Sequence, residues 1–193
     1  MARFLLGLVV GVLLVPIVVM AWLHFGSIPV AVADPPLPAE RLVTSVPLHA
    51  RIDREMAKSA PIQADEANLV AGAHIYGEQC AVCHGYYGKA SQFGNDMFPD
   101  APPLWEKHHG GQVVGVSDDP PGETYWKVAN GIRLTGMPAF KQSLTDNQMW
   151  QVSILLANAD KTLPPDALYV LRGNPPMPTT AAPSPAAPAP AVP

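Results

Sequence analysis

The chain has 193 residues, a formal net charge of −4 and 23 prolines. So small a negative charge gives no electrostatic hold on a phosphate backbone, which excludes nucleic acid as the expected partner. Proline-rich stretches flank the middle of the chain and leave one globular domain of about 100 residues, a size that often relies on a cofactor or covalent staple.

Residues Phe4 to Leu23 are uncharged and apolar. As a helix they span about 30 Å, the thickness of a bilayer core. Pro16 interrupts the run, which membrane helices tolerate better than soluble ones. A secretory signal is the competing reading, with Ala31-Val32-Ala33 as its cleavage motif. The run is long for a signal core and the motif lies well beyond its end, so residues 1–33 are expected to be a retained anchor. Either way the rest of the chain lies outside the cytoplasm, membrane-anchored in a periplasm or extracytoplasmic space, or soluble there after cleavage. Arg3 alone precedes the run, a weak positive-inside signal.

Residues 34–64 read as an extracytoplasmic linker, stiffened at its start by Asp34-Pro35-Pro36-Leu37-Pro38. Leu48, Ile52 and Met56, spaced four apart, predict a short helix over His49 to Ser59 that leans on the globular domain. Asp65 caps a helix expected from Glu66 to about Gln79, with Leu69, Gly72, Tyr76, Cys80 and Cys83 on one stripe. Gly85 to Gln112 reads mostly as loop, and Glu123 to Gly131 as a short helix ending at glycine. Thr145-Asp146-Asn147-Gln148 is a capping box that opens a helix to about Ala159, with Trp150, Ile154 and Leu155 buried. The domain so outlined covers residues 65–163. Residues 164–193 form a Pro/Ala-rich tail, disordered after Thr179, whose Leu168, Tyr169 and Leu171 can dock back on the domain.

The chain's two cysteines stand in Cys80-Ala81-Val82-Cys83-His84, the haem-attachment pattern C-x-x-C-H. Thiols three apart share one face of a helical turn, where both can bond the vinyl carbons of one porphyrin, and the next residue's imidazole can bind its iron. One covalent haem c through Cys80 and Cys83 is the expectation, with His84 as an iron ligand. A zinc site lacks a second ligand pair unless His108 and His109 complete it, and no βαβ context supports a thioredoxin-like thiol pair. For the sixth iron ligand, Met137 lies in a glycine- and proline-bounded loop, Gly131 to Phe140, that can project its sulfur. Its bland alternative is gap filling, the common use of methionine. Met97 is a weaker rival, His108 or His109 would give a bis-histidine iron, and Met149, Met56 and Met177 suit other roles.

From about Asp65 to Leu163 the chain resembles the class I c-type cytochromes. The resemblance rests on Cys80-Ala81-Val82-Cys83-His84-Gly85, Pro102-Pro103-Leu104, Gly136-Met137-Pro138-Ala139-Phe140, and their order. It implies an all-α fold around one haem, with first and last helices crossing at Gly72 and Trp150. It also implies that the Pro102 carbonyl accepts a hydrogen bond from His84 and that Leu104 packs on the haem face. Acidic residues outnumber basic ones in this segment, so it lacks the lysine-rich docking ring of mitochondrial-type members.

The expected function is single-electron transfer between a redox donor and acceptor, as in a respiratory chain, without catalysis by the chain itself. The alternative is a haem-bearing electron-transfer subunit of a membrane oxidoreductase complex. A haem gas sensor or peroxidase would need an open sixth position, for which the sequence offers no distal constellation.

Overall fold

Apolar side chains fill helix α1 (Ala2–Phe25), which continues through Pro16 and ends at Gly26, whose N–H donates to the Trp22 carbonyl. It is long and apolar enough to be a membrane anchor, and equally to be a signal sequence, since it lies near the N-terminus. The computed structural model describes residues 1–111 and 113–174 and divides the chain into two units, one of Met1–Leu48 and one from His49 onward.

In the first unit, Asp34 accepts from the N–H groups of Val30 and Ala31 at 2.8 and 2.9 Å, which lowers its pKa. Helix α2 (Glu40–Glu55) starts nine residues before the expected His49 and contains Pro47. A proline inside a helix removes one hydrogen bond, which explains why the sequence pattern reads as helical only after it. Ser59, the expected end, lies beyond Glu55.

The second unit is helical. Its core gathers Leu69, Ala73, Ile75, Tyr76, Leu104, Trp105, Val152, Leu155 and Leu171, among others. Helix α3 (Glu66–Gln79) has the expected bounds, with Asp65 accepting from Asn68 N–H at 2.9 Å. A one-turn helix α4 (Ala81–His84) and a second, α5 (Gln92–Asn95), punctuate the long loop. That loop also holds a two-stranded antiparallel hairpin, β1 (Lys107–His108) with β2 (Val113–Val114). Helix α6 (Pro121–Asn130) starts two residues earlier than expected, because Pro121 suits a first helical position. In α7 (Asp146–Leu156) the capping box forms in both directions, and Trp150, Ile154 and Leu155 are buried.

Helices α3 and α7 cross where Gly72 lies against the backbone of Gln151. The neighbouring Trp150 stacks on Tyr125 at 4.2 Å between ring centroids. Gln151 seals the crossing with a 3.0 Å hydrogen bond to Asn68. Residues past Leu163 form α8 (Pro165–Leu171), which packs on α3 and buries Ala167, Val170 and Leu171. Of the residues expected to dock back, Leu171 is fully buried, Leu168 packs on the core and Tyr169 is exposed. The stretch expected to be disordered after Thr179, and Met177, lie outside the described residues.

The end of α2 is fastened to α6. Ile52 is buried, Trp126 Nε1–H donates to Glu55 at 2.9 Å, and the Arg51 guanidinium sits 5.8 Å from the Trp126 ring centroid. These contacts belong to the second unit, which begins at His49 within α2.

Candidate functional site

Helix α3 runs directly into the cysteine motif. Cys80 N–H still donates to Tyr76 O at 2.9 Å, and the turn then tightens, with Cys83 and His84 N–H groups both reaching Cys80 O. Gly85 closes the motif at φ 77°, and a side chain there would press on the Lys89 carbonyl, so glycine is required. Its carbonyl accepts from the Tyr76 hydroxyl at 2.8 Å, which ties the end of the motif back to α3. The Tyr76 pKa is strongly raised, first by burial, so it acts as a neutral donor.

Cys80 and Cys83 are both half-buried. Burial, and secondarily the charge of a Cys83 thiolate, push the Cys80 thiol up to about 12. Such an environment penalises a thiolate but not a neutral thioether. His84 Nδ1 lies 2.8 Å from the Pro102 carbonyl. A carbonyl only accepts, so Nδ1 carries the proton and Nε2 is left with a lone pair. Burial lowers the His84 pKa, opposed by that same hydrogen bond, and so favours the neutral, ligating form.

Of the six residues singled out in the sequence, five are thus gathered around one turn. Cys80, Cys83 and His84 form it, Pro102 accepts from His84, and the N–H of buried Leu104 lies 3.4 Å from His84 O. Met137 comes from a separate loop and is half-buried against the same core. That loop is internally bonded: Ile132 N–H donates to Met137 O at 3.2 Å, and Met137 N–H to Thr135 Oγ1 at 3.1 Å. A side chain at Gly131, φ 66°, would strike the backbone of Met137 to Ala139. Phe140 N–H then anchors the loop to Val128 O at 3.0 Å.

A cavity of about 330 Å³ adjoins Pro102, Leu104, His108 and Val116, but none of Cys80, Cys83, His84 and Met137 lines it. His108 Nε2–H donates to Gly115 O and so belongs to the hairpin. The side chain of His109 lies outside the described ones.

Sequence reasoning missed three supports of the site. Trp105 packs edge-on to Tyr76, with centroids 5.4 Å apart, behind the motif. Ser91 Oγ–H donates to Val82 O at 2.5 Å, fastening the following loop to the turn. Met97 touches Gly136, next to Met137. Only Ser91, as a hydroxyl before a short helix, carried a local signal.

The thiol spacing, the fixed histidine tautomer and the apolar burial together fit a covalently attached haem. The family model described as cytochrome c oxidase, cbb3-type, subunit III matches residues 67–154. No curated protein matches the chain in sequence.

Proposed function

Because residues 67–154 are a class I c-type cytochrome domain, whose chemistry is haem electron transfer, we propose that the chain is a mono-haem carrier of single electrons. Cys80 and Cys83 hold haem c covalently, and His84 and Met137 are its axial ligands. The observation that carries this reading is the 2.8 Å contact of His84 Nδ1 with Pro102 O, which presents Nε2 as the ligand atom. Bound there, the group supplies a reversible ferric–ferrous couple, at a higher potential with methionine as sixth ligand than with a second imidazole.

The remaining work belongs to the chain. Pro102 holds the imidazole's orientation and raises its basicity, as outer partners of metal-bound histidines do. Leu104 excludes water from the His84 side. The bonded loop of Met137 delivers the thioether and keeps the sixth position closed, which suits a carrier better than a sensor or peroxidase. Helix α1 tethers the domain to the outer face of a membrane, where a tether raises the local concentration of a redox partner towards the millimolar range.

A second reading has its own support: the matching family is described as an oxidase subunit. The chain would then deliver electrons inside an oxidoreductase complex. A redox-titrated optical spectrum of detergent-purified protein, taken with its co-purifying subunits, tests both. The carrier reading expects one haem per chain, low-spin iron in both oxidation states, weak carbon monoxide binding and no stoichiometric partner. Met137→Ala should turn ferric iron substantially high-spin and admit carbon monoxide. Stable partner subunits would favour the second reading, and rapid carbon monoxide binding by unmutated protein would overturn the closed-site proposal.

A further inference from the structure

Glycine at 131 is demanded by backbone conformation, whereas glycine at 136 is not, because its φ lies outside the left-handed region. What a side chain at Gly136 would displace is the end of the Met97 side chain. A Cβ built there would stand 1.8 Å from the Met97 methyl carbon and 3.6 Å from its sulfur. Met97 is half-buried although Asp96 and Phe98 on either side are exposed. Its own segment is fixed to the attachment turn. Met97 N–H lies 3.3 Å from Gly94 O, and Gly94 packs so closely on Cys83 O that a Cβ there would sit 1.9 Å from it.

We propose that Met97 is a positioning residue: its methyl occupies the place a side chain at Gly136 would take, and so holds the Met137 loop against the segment that follows the cysteine turn. The contact runs Cys83, Gly94, Met97, Gly136 and then Met137, linking the two sides from which the axial ligands come. The proposal rests on Met137 being the sixth ligand. Met97 itself is not a ligand in it.

The test uses ferric, haem-loaded full-length protein. Imidazole displacement of the near-infrared methionine-to-iron charge-transfer band reports loop opening, and a guanidinium unfolding midpoint reports global stability. Met97→Ala removes a methylene, the sulfur and the methyl that makes the contact, so imidazole should bind about three- to tenfold more tightly. Met97→Leu keeps the volume and should stay within about twofold of the unmutated protein. Gly136→Ala should also loosen the loop. Added to Met97→Ala it should have little further effect, since the space it needs is already vacated.

Unchanged imidazole affinity in Met97→Ala, with only the unfolding midpoint lowered, would reduce Met97 to a structural residue and overturn the proposal. So would full additivity of the two alanine changes, or loss of the band in Met97→Leu, which would make Met97 the ligand. If the unmutated protein lacks the band, the ligand assignment falls separately. Amide hydrogen exchange then still decides on the contact: Met97→Ala must speed exchange across residues 131–140 selectively, and uniform protection would refute it.

Discussion

Two glycines of α3 should respond in opposite directions to alanine. Replacing glycine inside a helix gains about 0.8–1.0 kcal/mol of helix propensity, somewhat less near an end. At Gly77 the new Cβ would meet only Val170 Cγ1 at 3.5 Å, an ordinary contact. Propensity therefore wins, and Gly77→Ala should stabilise by about 0.5–1 kcal/mol. At Gly72 the Cβ would lie 2.4 Å from Gln151 O, 2.9 Å from Gln151 C and 3.1 Å from Leu155 Cβ. Backbone cannot rotate aside as a flexible side chain does, so α3 and α7 must separate by about 1 Å, straining a close-packed interface. Overpacking of this kind costs about 1–3 kcal/mol, and the upper end applies here. The helical gain offsets only part of it, leaving Gly72→Ala destabilised by about 1–2 kcal/mol. The two variants should therefore differ by about 1.5–3 kcal/mol in guanidinium unfolding of haem-loaded protein at matched m-values. Equal stability, or Gly72→Ala the more stable, would refute the account of the crossing.

Tyr76→Phe removes a buried donor and strands the Gly85 carbonyl, 2.8 Å away; unfolding should show a loss of about 1–2 kcal/mol. Glu55 has its pKa lowered below the usual carboxylate range, first by the Trp126 indole and then by Arg51. A depressed folded pKa gives stability that is present above the unfolded value and lost as pH falls through the folded one. The difference in melting temperature between unmutated protein and Glu55→Gln should thus persist at neutral pH and close on acidification; a constant difference would refute the Trp126 contact. For the attachment itself, denatured protein should retain haem on a gel, Cys80→Ala or Cys83→Ala should weaken or abolish retention, and cytoplasmic expression should yield apoprotein. Full retention in the double variant would sink covalent attachment.

Much of this was legible because it is local. Asp65 and Thr145 announce helices by side chains that bond amides three residues on, and both starts fall where those signals place them. The cysteine motif is equally local, its chemistry following from residues three and one apart. Legibility fails where a local signal has more than one tertiary outcome. Pro47 marks a break in an isolated pattern, yet α2 passes through it, and its far end is held at Glu55 by the Trp126 hydrogen bond. Pro164 and Pro165 look like the start of a tail but stand as cap and first residue of α8, because the next residues have α3 to pack against. In the sequence Met97 reads only as a rival ligand. Its contact with Gly136 joins two loops remote in sequence, and no periodicity records such a meeting.

The two sides of the proposed iron site are held by different physics, and this fixes where the site should yield first. The His84 side is one hydrogen-bonded turn continuous with α3, braced by buried Tyr76 and by the Pro102 carbonyl. Opening it means disturbing the α3 core, at a free energy near that of global unfolding. The Met137 side is a loop with few backbone bonds of its own. Leu134 sits within it at φ 64°, a region disfavoured for a residue with a branched side chain, and is largely exposed. Segments poor in buried contacts open at lower free energy than the body they join. Ligand exchange should therefore proceed by release of Met137 while His84 stays in place, so that the contacts of that loop, Thr135, Val128 and Met97 among them, set how firmly the sixth position is closed.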